Sequence, residues 1–192
     1  MRATLLLLAG GASRRMGRPK ALLEVGDETL IEFVCRRLRD AFDEVLVSTN
    51  EPDAMPPALG ARVVPDRLRG AGPLAGIEAG LAAARHDVVF TVACDMPYVD
   101  LPLARTLVRA SRGFDAAVPR VDGRPEPVCA AYRQRSLPTL SKALDEGVRK
   151  AAEALERLHI CWCARVDADA LRSVNSPNDW ARFVATRSRG SP

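Results

Sequence analysis

Aromatic residues make up only 5% of this 192-residue sequence, too few for a base-stacking platform along a nucleic acid strand. Lysine is scarcer still. Lys20, Lys142 and Lys150 are the only lysines among 28 basic residues, which leaves 25 arginines. Long apolar runs are missing. The longest, residues 4–9, is far short of the roughly 20 residues needed to cross a bilayer. It runs into Gly10-Gly11-Ala12-Ser13-Arg14-Arg15 rather than into a small-residue cleavage site, so it is no signal peptide. Metal-ligand spacing is missing too: Cys35, Cys94, Cys129, Cys161 and Cys163 are odd in number, and His86 and His159 have no partner at ligand spacing. The cysteines are therefore read as buried, reduced thiols of a cytoplasmic protein, with Cys161 and Cys163 on one face of a strand. The histidines are read as surface residues. These absences exclude a membrane span, a disulfide scaffold and a zinc module, and they argue against a nucleic acid partner.

What is present is ordinary in bulk and informative in order. A hydrophobic fraction of 47%, a charged fraction of 27% and a net charge of +4 suit one globular domain with a sizeable core. So small an excess of basic charge, carried by arginine, fits a local anionic ligand better than a general polyanion. Strands are expected at 4–8, 44–49, 62–64, 88–93, 116–119, 128–132 and 160–166. Asp122-Gly123 is expected to turn between paired strands. Helices are expected on the stripe Leu30, Phe33, Val34, Leu38, Ala41 and Phe42, capped by Asp27 or Thr29, and at 73–85, 101–111, 136–146, 150–157 and 177–187. Ser176, Pro177 and Asp179 have the pattern of a capping box with proline at the first helical position. Strands alternating with helices indicate an α/β domain with a mostly parallel sheet. Ligands sit beyond the carboxyl ends of such strands, which directs attention to the loops beginning at Ala9, Asn50, Pro65 and Cys94.

The first of these loops places Gly10 and Gly11 directly after a strand, followed by Arg14, Arg15, Arg18 and Lys20. Two glycines alone read as a tight turn. Four cations beside unobstructed backbone N–H groups read as a polyphosphate cradle. The spacing is neither a dinucleotide fingerprint nor a Walker loop. Asp95, at the end of a buried strand in Cys94-Asp95-Met96-Pro97, suits Mg²⁺, which takes one or two carboxylates and completes its shell with phosphates and water; it equally suits a turn cap. Asp66, ahead of Gly72-Pro73-Leu74-Ala75-Gly76, is either an acceptor for a base or ribose or part of a solvated loop.

Leu8-Ala9-Gly10-Gly11-Ala12-Ser13-Arg14-Arg15-Met16-Gly17-Arg18-Pro19-Lys20 resembles the signature of the MobA-like nucleotidyltransferase superfamily. Gly72–Gly76, Cys94-Asp95-Met96-Pro97 and Asn175-Ser176-Pro177-Asn178-Asp179 are similar to the further motifs of its molybdenum cofactor guanylyltransferases. The likeness runs from Leu5 to about Phe183. It departs from the family pattern in the distal motif, where Ser173 and Ser176 stand at the first and fourth positions.

The resemblance implies a single Rossmann-like three-layer α/β domain with a mostly parallel central sheet over residues 1–187, followed by a disordered tail at 188–192. It implies transfer of GMP from GTP to the terminal phosphate of molybdopterin with release of pyrophosphate, in the cytoplasm. Leu8, Ala9, Gly10 and Gly11 would contact the nucleotide, and Asn50 would line its pocket. Asp66 would help recognise guanosine. Arg15 and Lys20 would hold phosphates and, with Asp95, carry catalysis. Asp95 would bind Mg²⁺, or Mn²⁺ in its place. Asn175 would lie on the pterin side, and Gly123-Arg124-Pro125-Glu126-Pro127-Val128 near the acceptor. GTP, molybdopterin and other proteins of molybdenum cofactor biosynthesis are the implied partners. The rival readings are a cytidylyltransferase using CTP on the same or another phosphate acceptor, and a non-catalytic nucleotide-binding protein with the same fold. Keeping both Lys20 and Asp95 disfavours the second.

Overall fold

The computed structural model describes residues 1–10 and 19–188, so Gly11, Arg14, Arg15 and Arg18 of the first loop lie outside the described residues. The chain begins with β1 (Thr4–Leu8), a short hairpin of β2 (Glu24–Val25) and β3 (Glu28–Thr29), α1 (Leu30–Leu38), β4 (Glu44–Ser48) and β5 (Arg62–Val64). It continues through α2 (Pro73–Ala83), β6 (Val88–Ala93), α3 (Leu101–Ala110), β7 (Ala116–Val121), β8 (Arg124–Pro125) and β9 (Ala130–Arg133). The last third contains α4 (Leu137–Asp145), α5 (Ala151–Ala154), β10 (Ile160–Cys163) and α6 (Pro177–Ser188). The central sheet has the order β10-β7-β9-β6-β1-β4-β5, with β8 attached to β7. Pairing is parallel along β6-β1-β4-β5 and between β10 and β7, while β9 runs antiparallel to both β6 and β7. Every strand of that path except β9 therefore points its carboxyl end at the same edge.

Burial on both faces explains why β1 is apolar throughout. Leu5 and Leu7 pack into one core with Ile31, Leu103 and Phe183 from α1, α3 and α6. Leu6 and Leu8 pack into a second core with Ile77, Leu140 and Ala154 from α2, α4 and α5. Alternate side chains of a strand face opposite ways, so the result is helix, sheet and helix in three layers, as expected. A Cβ at Gly80 would lie 2.1 Å from a methyl of Leu6, so α2 can settle this low on the sheet only with glycine there.

Several boundaries differ from the sequence reading. Thr29, not Asp27, caps α1: its side chain accepts from the Glu32 N–H, and Glu32 reaches back to the Thr29 N–H. The apolar stripe through Phe42 breaks at Leu38, and residues Arg39–Ala41 tighten into a 3-10 turn. Asp122 and Gly123 do form a turn, both with positive φ (50° and 76°), but it joins β7 to the two-residue β8. The expected pairing of β7 with β9 is present, antiparallel at Ala116–Tyr132 and Ala117–Ala131, with β9 starting later than expected and lying between β7 and β6. Helix α5 is a single turn that passes into a 3-10 turn at Leu155–Arg157, and β10 ends at Cys163.

Cys35, Cys94 and Cys129 are buried as expected, but Cys161 and Cys163 are only half-buried, because edge strand β10 is incompletely covered. Both of these thiols pack toward the α1/α3 core, as their spacing implies. His159 is exposed beside the Phe114 ring, whereas His86 is half-buried rather than a surface residue. Helix α6 runs through Ser188, one residue past its expected end. Among the described residues, no helix is long and apolar enough to cross a membrane.

Candidate active site

The carboxyl ends of β1, β4 and β6 remain tied together beyond their ladders. The Cys94 N–H donates to the Leu8 carbonyl (3.1 Å), and the Ala9 N–H donates to the Ser48 carbonyl (2.9 Å). At Gly10, no described atom lies within 4 Å of the position a Cβ would take. Among the described residues, no side chain obstructs the backbone there. Leu8, Ala9 and Gly10 thus sit midway along the edge, with one polar cluster on each side.

The first cluster joins β4 to the loop after β5. Ser48 Oγ donates to Asp66 Oδ1 (2.6 Å), and Asn50 Nδ2 donates to Asp66 Oδ2 (3.0 Å). Each carboxylate oxygen retains a further lone pair for a ligand. Asn50 Oδ1 is buried and accepts no hydrogen bond among the described residues, which makes it an acceptor in need of a donor. Helix α2 backs this cluster closely. A Cβ on Gly76 would come within 2.6 Å of Ser48 Oγ and 3.1 Å of Leu8 Cδ2. The second glycine of Gly72–Gly76 therefore has a packing reason: it makes room for the serine that orients Asp66.

The second cluster lies beyond β6. Lys20 Nζ donates to Asp95 Oδ2 (2.8 Å) and to Asn175 Oδ1 (2.7 Å), bringing together residues 75 and 155 positions apart. Both charged side chains of the pair are about four-fifths buried (19% and 20% exposed). The Val174 N–H donates to the Asp95 carbonyl (2.8 Å), so the segment before α6 crosses over the loop that carries the carboxylate. Burial, reinforced by the Asp95 charge, pushes the neighbouring Cys94 thiol up to about 12; it stays protonated and is no nucleophile at neutral pH. Glu126 follows β8, its N–H bonded to the Pro119 carbonyl (3.0 Å). Its carboxyl is raised first by burial and then by Asp95, which brings a second acid within electrostatic reach.

Among the described residues, no three His, Cys, Asp or Glu side chains form a metal cage. Asp95 Oδ1 accepts no hydrogen bond from them. One such carboxylate, with phosphates to complete the shell, matches how Mg²⁺ is held and would not satisfy a structural zinc ion. A separate cavity of about 360 Å³, lined by Phe33, Arg36, Arg37, Tyr98 and Phe183, contains none of these residues.

The structure therefore brings Asn50 to Asp66, and Lys20 to Asp95 and Asn175, on either side of Leu8–Gly10. Gly11 and Arg15 fall outside the described residues. Ser48, Val174 and Asp179 were not singled out from sequence as site residues, and Glu126 was noted only within a stretch. Their roles come from hydrogen bonds and proximity across the fold, and only the Ser176/Asp179 capping pattern gave local warning.

The family model for the MobA-like NTP transferase domain matches residues 5–160. A protein of Pelotomaculum thermopropionicum described as "Probable molybdenum cofactor guanylyltransferase" is 38% identical over 98% of this chain and 96% of its own length. The molybdenum cofactor guanylyltransferase of Pseudomonas putida is 39% identical over 91% of this chain and 93% of its own. The crystal structure of molybdopterin-guanine dinucleotide biosynthesis protein A from Archaeoglobus fulgidus superposes with a TM-score of 0.85 at 25% identity, covering 97% of this chain and 99% of that one. Likeness of this extent in sequence and fold makes the chain a member of the MobA-like NTP transferase family, on the branch of the molybdenum cofactor guanylyltransferases.

Proposed function

We propose that the protein transfers GMP from GTP to the terminal phosphate of molybdopterin, forming the guanine dinucleotide of the cofactor. The carrying observation is the Lys20–Asp95–Asn175 cluster, which lies one strand from Leu8–Gly10 in a chain of the guanylyltransferase branch. A phosphate oxygen of the acceptor attacks the α-phosphorus of GTP. The bond to the α,β-bridging oxygen breaks, its electron pair stays with that oxygen, and pyrophosphate leaves. The attacking phosphate is largely ionised at neutral pH, so no strong general base is needed. Charge neutralisation and in-line positioning carry the rate. Asp95, with Glu126 nearby, is the residue to hold Mg²⁺ or Mn²⁺, and the ion would neutralise phosphate charge when bound.

The chain's own contribution follows from its two clusters. Lys20, with Arg15 of the first loop, offers positive charge to the phosphates of donor and leaving group. The Ser48–Asn50–Asp66 cluster lies on the other side of β1, and supports guanosine recognition: Asp66 has lone pairs to spare and Asn50 Oδ1 lacks a donor. Asn175 and the Gly123–Val128 stretch would face the acceptor. Five unpaired cysteines are consistent with a reducing, cytoplasmic setting. Other proteins of molybdenum cofactor biosynthesis are the partners this activity requires.

Thermal shift with GTP, CTP, ATP and UTP in Mg²⁺ tests the nucleotide. A ligand at a hundred times its Kd stabilises by about 2.7 kcal/mol, so GTP should raise Tm by several degrees and more than the others. A shift with CTP alone would make the protein a cytidylyltransferase.

A further inference from the structure

Asp179 lies on the first turn of α6, outside every cluster above, yet its contacts lead to the centre of the site. One oxygen, Oδ2, accepts from the Asn175 N–H (3.1 Å), the Ser176 N–H (2.9 Å) and Ser176 Oγ (2.8 Å). The Asp179 N–H donates back to Ser176 Oγ (3.2 Å), closing a capping box. An ordinary cap would end there. Here the turn that is fixed also carries both straps to the site: Val174 holds the Asp95 backbone, and Asn175 holds the Lys20 ammonium. Helix α6 is a firm base for this arrangement, because Phe183 is 2% exposed and packs edge-on against Phe33 and Tyr98.

We infer that Asp179 is a positioning residue for the reaction: it sets the Val174–Asn175 segment so that Lys20 and Asp95 are held in their working arrangement. Removing its carboxylate frees two backbone N–H groups and the Ser176 hydroxyl together. The Asn175 oxygen then drifts, and Lys20 loses the hydrogen bond that it donates to it. The Ser176 hydroxyl and the Asn175 N–H hold the Asp179 carboxyl below its ordinary range, so at neutral pH it is ionised and able to serve all three donors.

The inference rests on the transferase reading for its link to turnover, but Lys20 can be read directly. With acetic anhydride in limiting amount, Lys20, 19% exposed, should label more slowly than Lys142 and Lys150, whose side chains are 76% and 80% exposed and serve as internal standards. In Asp179→Ala, labelling of Lys20 relative to both should rise by about threefold or more as the strap opens. Asp179→Glu, which keeps a capping-box acceptor, should restore most of the protection. Gly80→Ala, which presses on Leu6 on the sheet face opposite α6, should lower Tm and leave Lys20 unchanged. Should Asp179→Ala fail to fold, Asp179→Asn, with one neutral acceptor oxygen, should give a smaller rise in the same direction. Lys20 labelling equal to wild type in folded Asp179→Ala, or in Asp179→Asn where the alanine variant does not fold, overturns the inference, as does an equal rise in Gly80→Ala. In the transfer assay, Asp179→Ala should lose about tenfold in kcat while KM for GTP stays within about twofold, the pattern of lost positioning. A wild-type protein without transfer activity, but with Lys20 released by Asp179→Ala, would refute the transferase reading and leave the positioning role standing.

Discussion

Lys20 is the residue on which the proposed transfer turns. In a chain that otherwise prefers arginine, an ammonium is placed 2.8 Å from Asp95 and 2.7 Å from Asn175. Arginine's wide planar fork would not replace a compact ion held between two oxygens. Lys20→Ala should cut turnover about a hundredfold, the scale for losing one electrostatic stabiliser. Pyrophosphate release under saturating substrate checks this, and near-normal turnover would remove the role. Asp95 was legible in a short motif at a strand end, Asp66 in the loop ahead of Gly72–Gly76 and Lys20 as a rare lysine after the glycine pair, whereas Asn50 was suggested only by the family resemblance. Ser48 and Asp179 were not legible. Ser48 reads as an ordinary strand serine until the fold brings the loop after β5 beside it, and Asp179 reads as a helix cap until Val174 and Asn175 are seen against Asp95 and Lys20.

Among the elements, α2 shows how packing supports the site. Its glycines lie four apart on one face, Gly76 against Ser48 and Leu8, and Gly80 against Leu6. Gly80→Ala forces a methyl group into a fully buried leucine and should destabilise the fold by about 1–3 kcal/mol, measured as a lower midpoint in urea denaturation. An unchanged midpoint would mean that α2 is free to lift from the sheet. Strand β1 and its helical neighbours were legible because continuous apolar runs and 3.6-residue stripes report burial directly. The β7–β8–β9 region was legible only in part. The pairing of β7 with β9 was anticipated, but two-residue β8, which the Asp122-Gly123 turn joins to β7, is too short to leave a pattern. The insertion of β9 between β7 and β6 is a non-local choice with no local signature.

For the whole molecule, parallel pairing does the organising. Because β1, β4, β5 and β6 end on one edge, the polar Ser48–Asn50–Asp66 cluster and the charged Lys20–Asp95 cluster, the proposed nucleoside and phosphate sites, stand on either side of Leu8–Gly10. Alternation of strands and helices was enough to anticipate that edge, though not the C-terminal segment that closes over Asp95. The central claim is guanylyl transfer to a pterin phosphate. Pyrophosphate release, measured for each of the four nucleotides with and without molybdopterin in Mg²⁺, tests it most directly. Release with GTP that depends on molybdopterin is expected. Release with CTP but not GTP, or none with any nucleotide when molybdopterin is present, would contradict it.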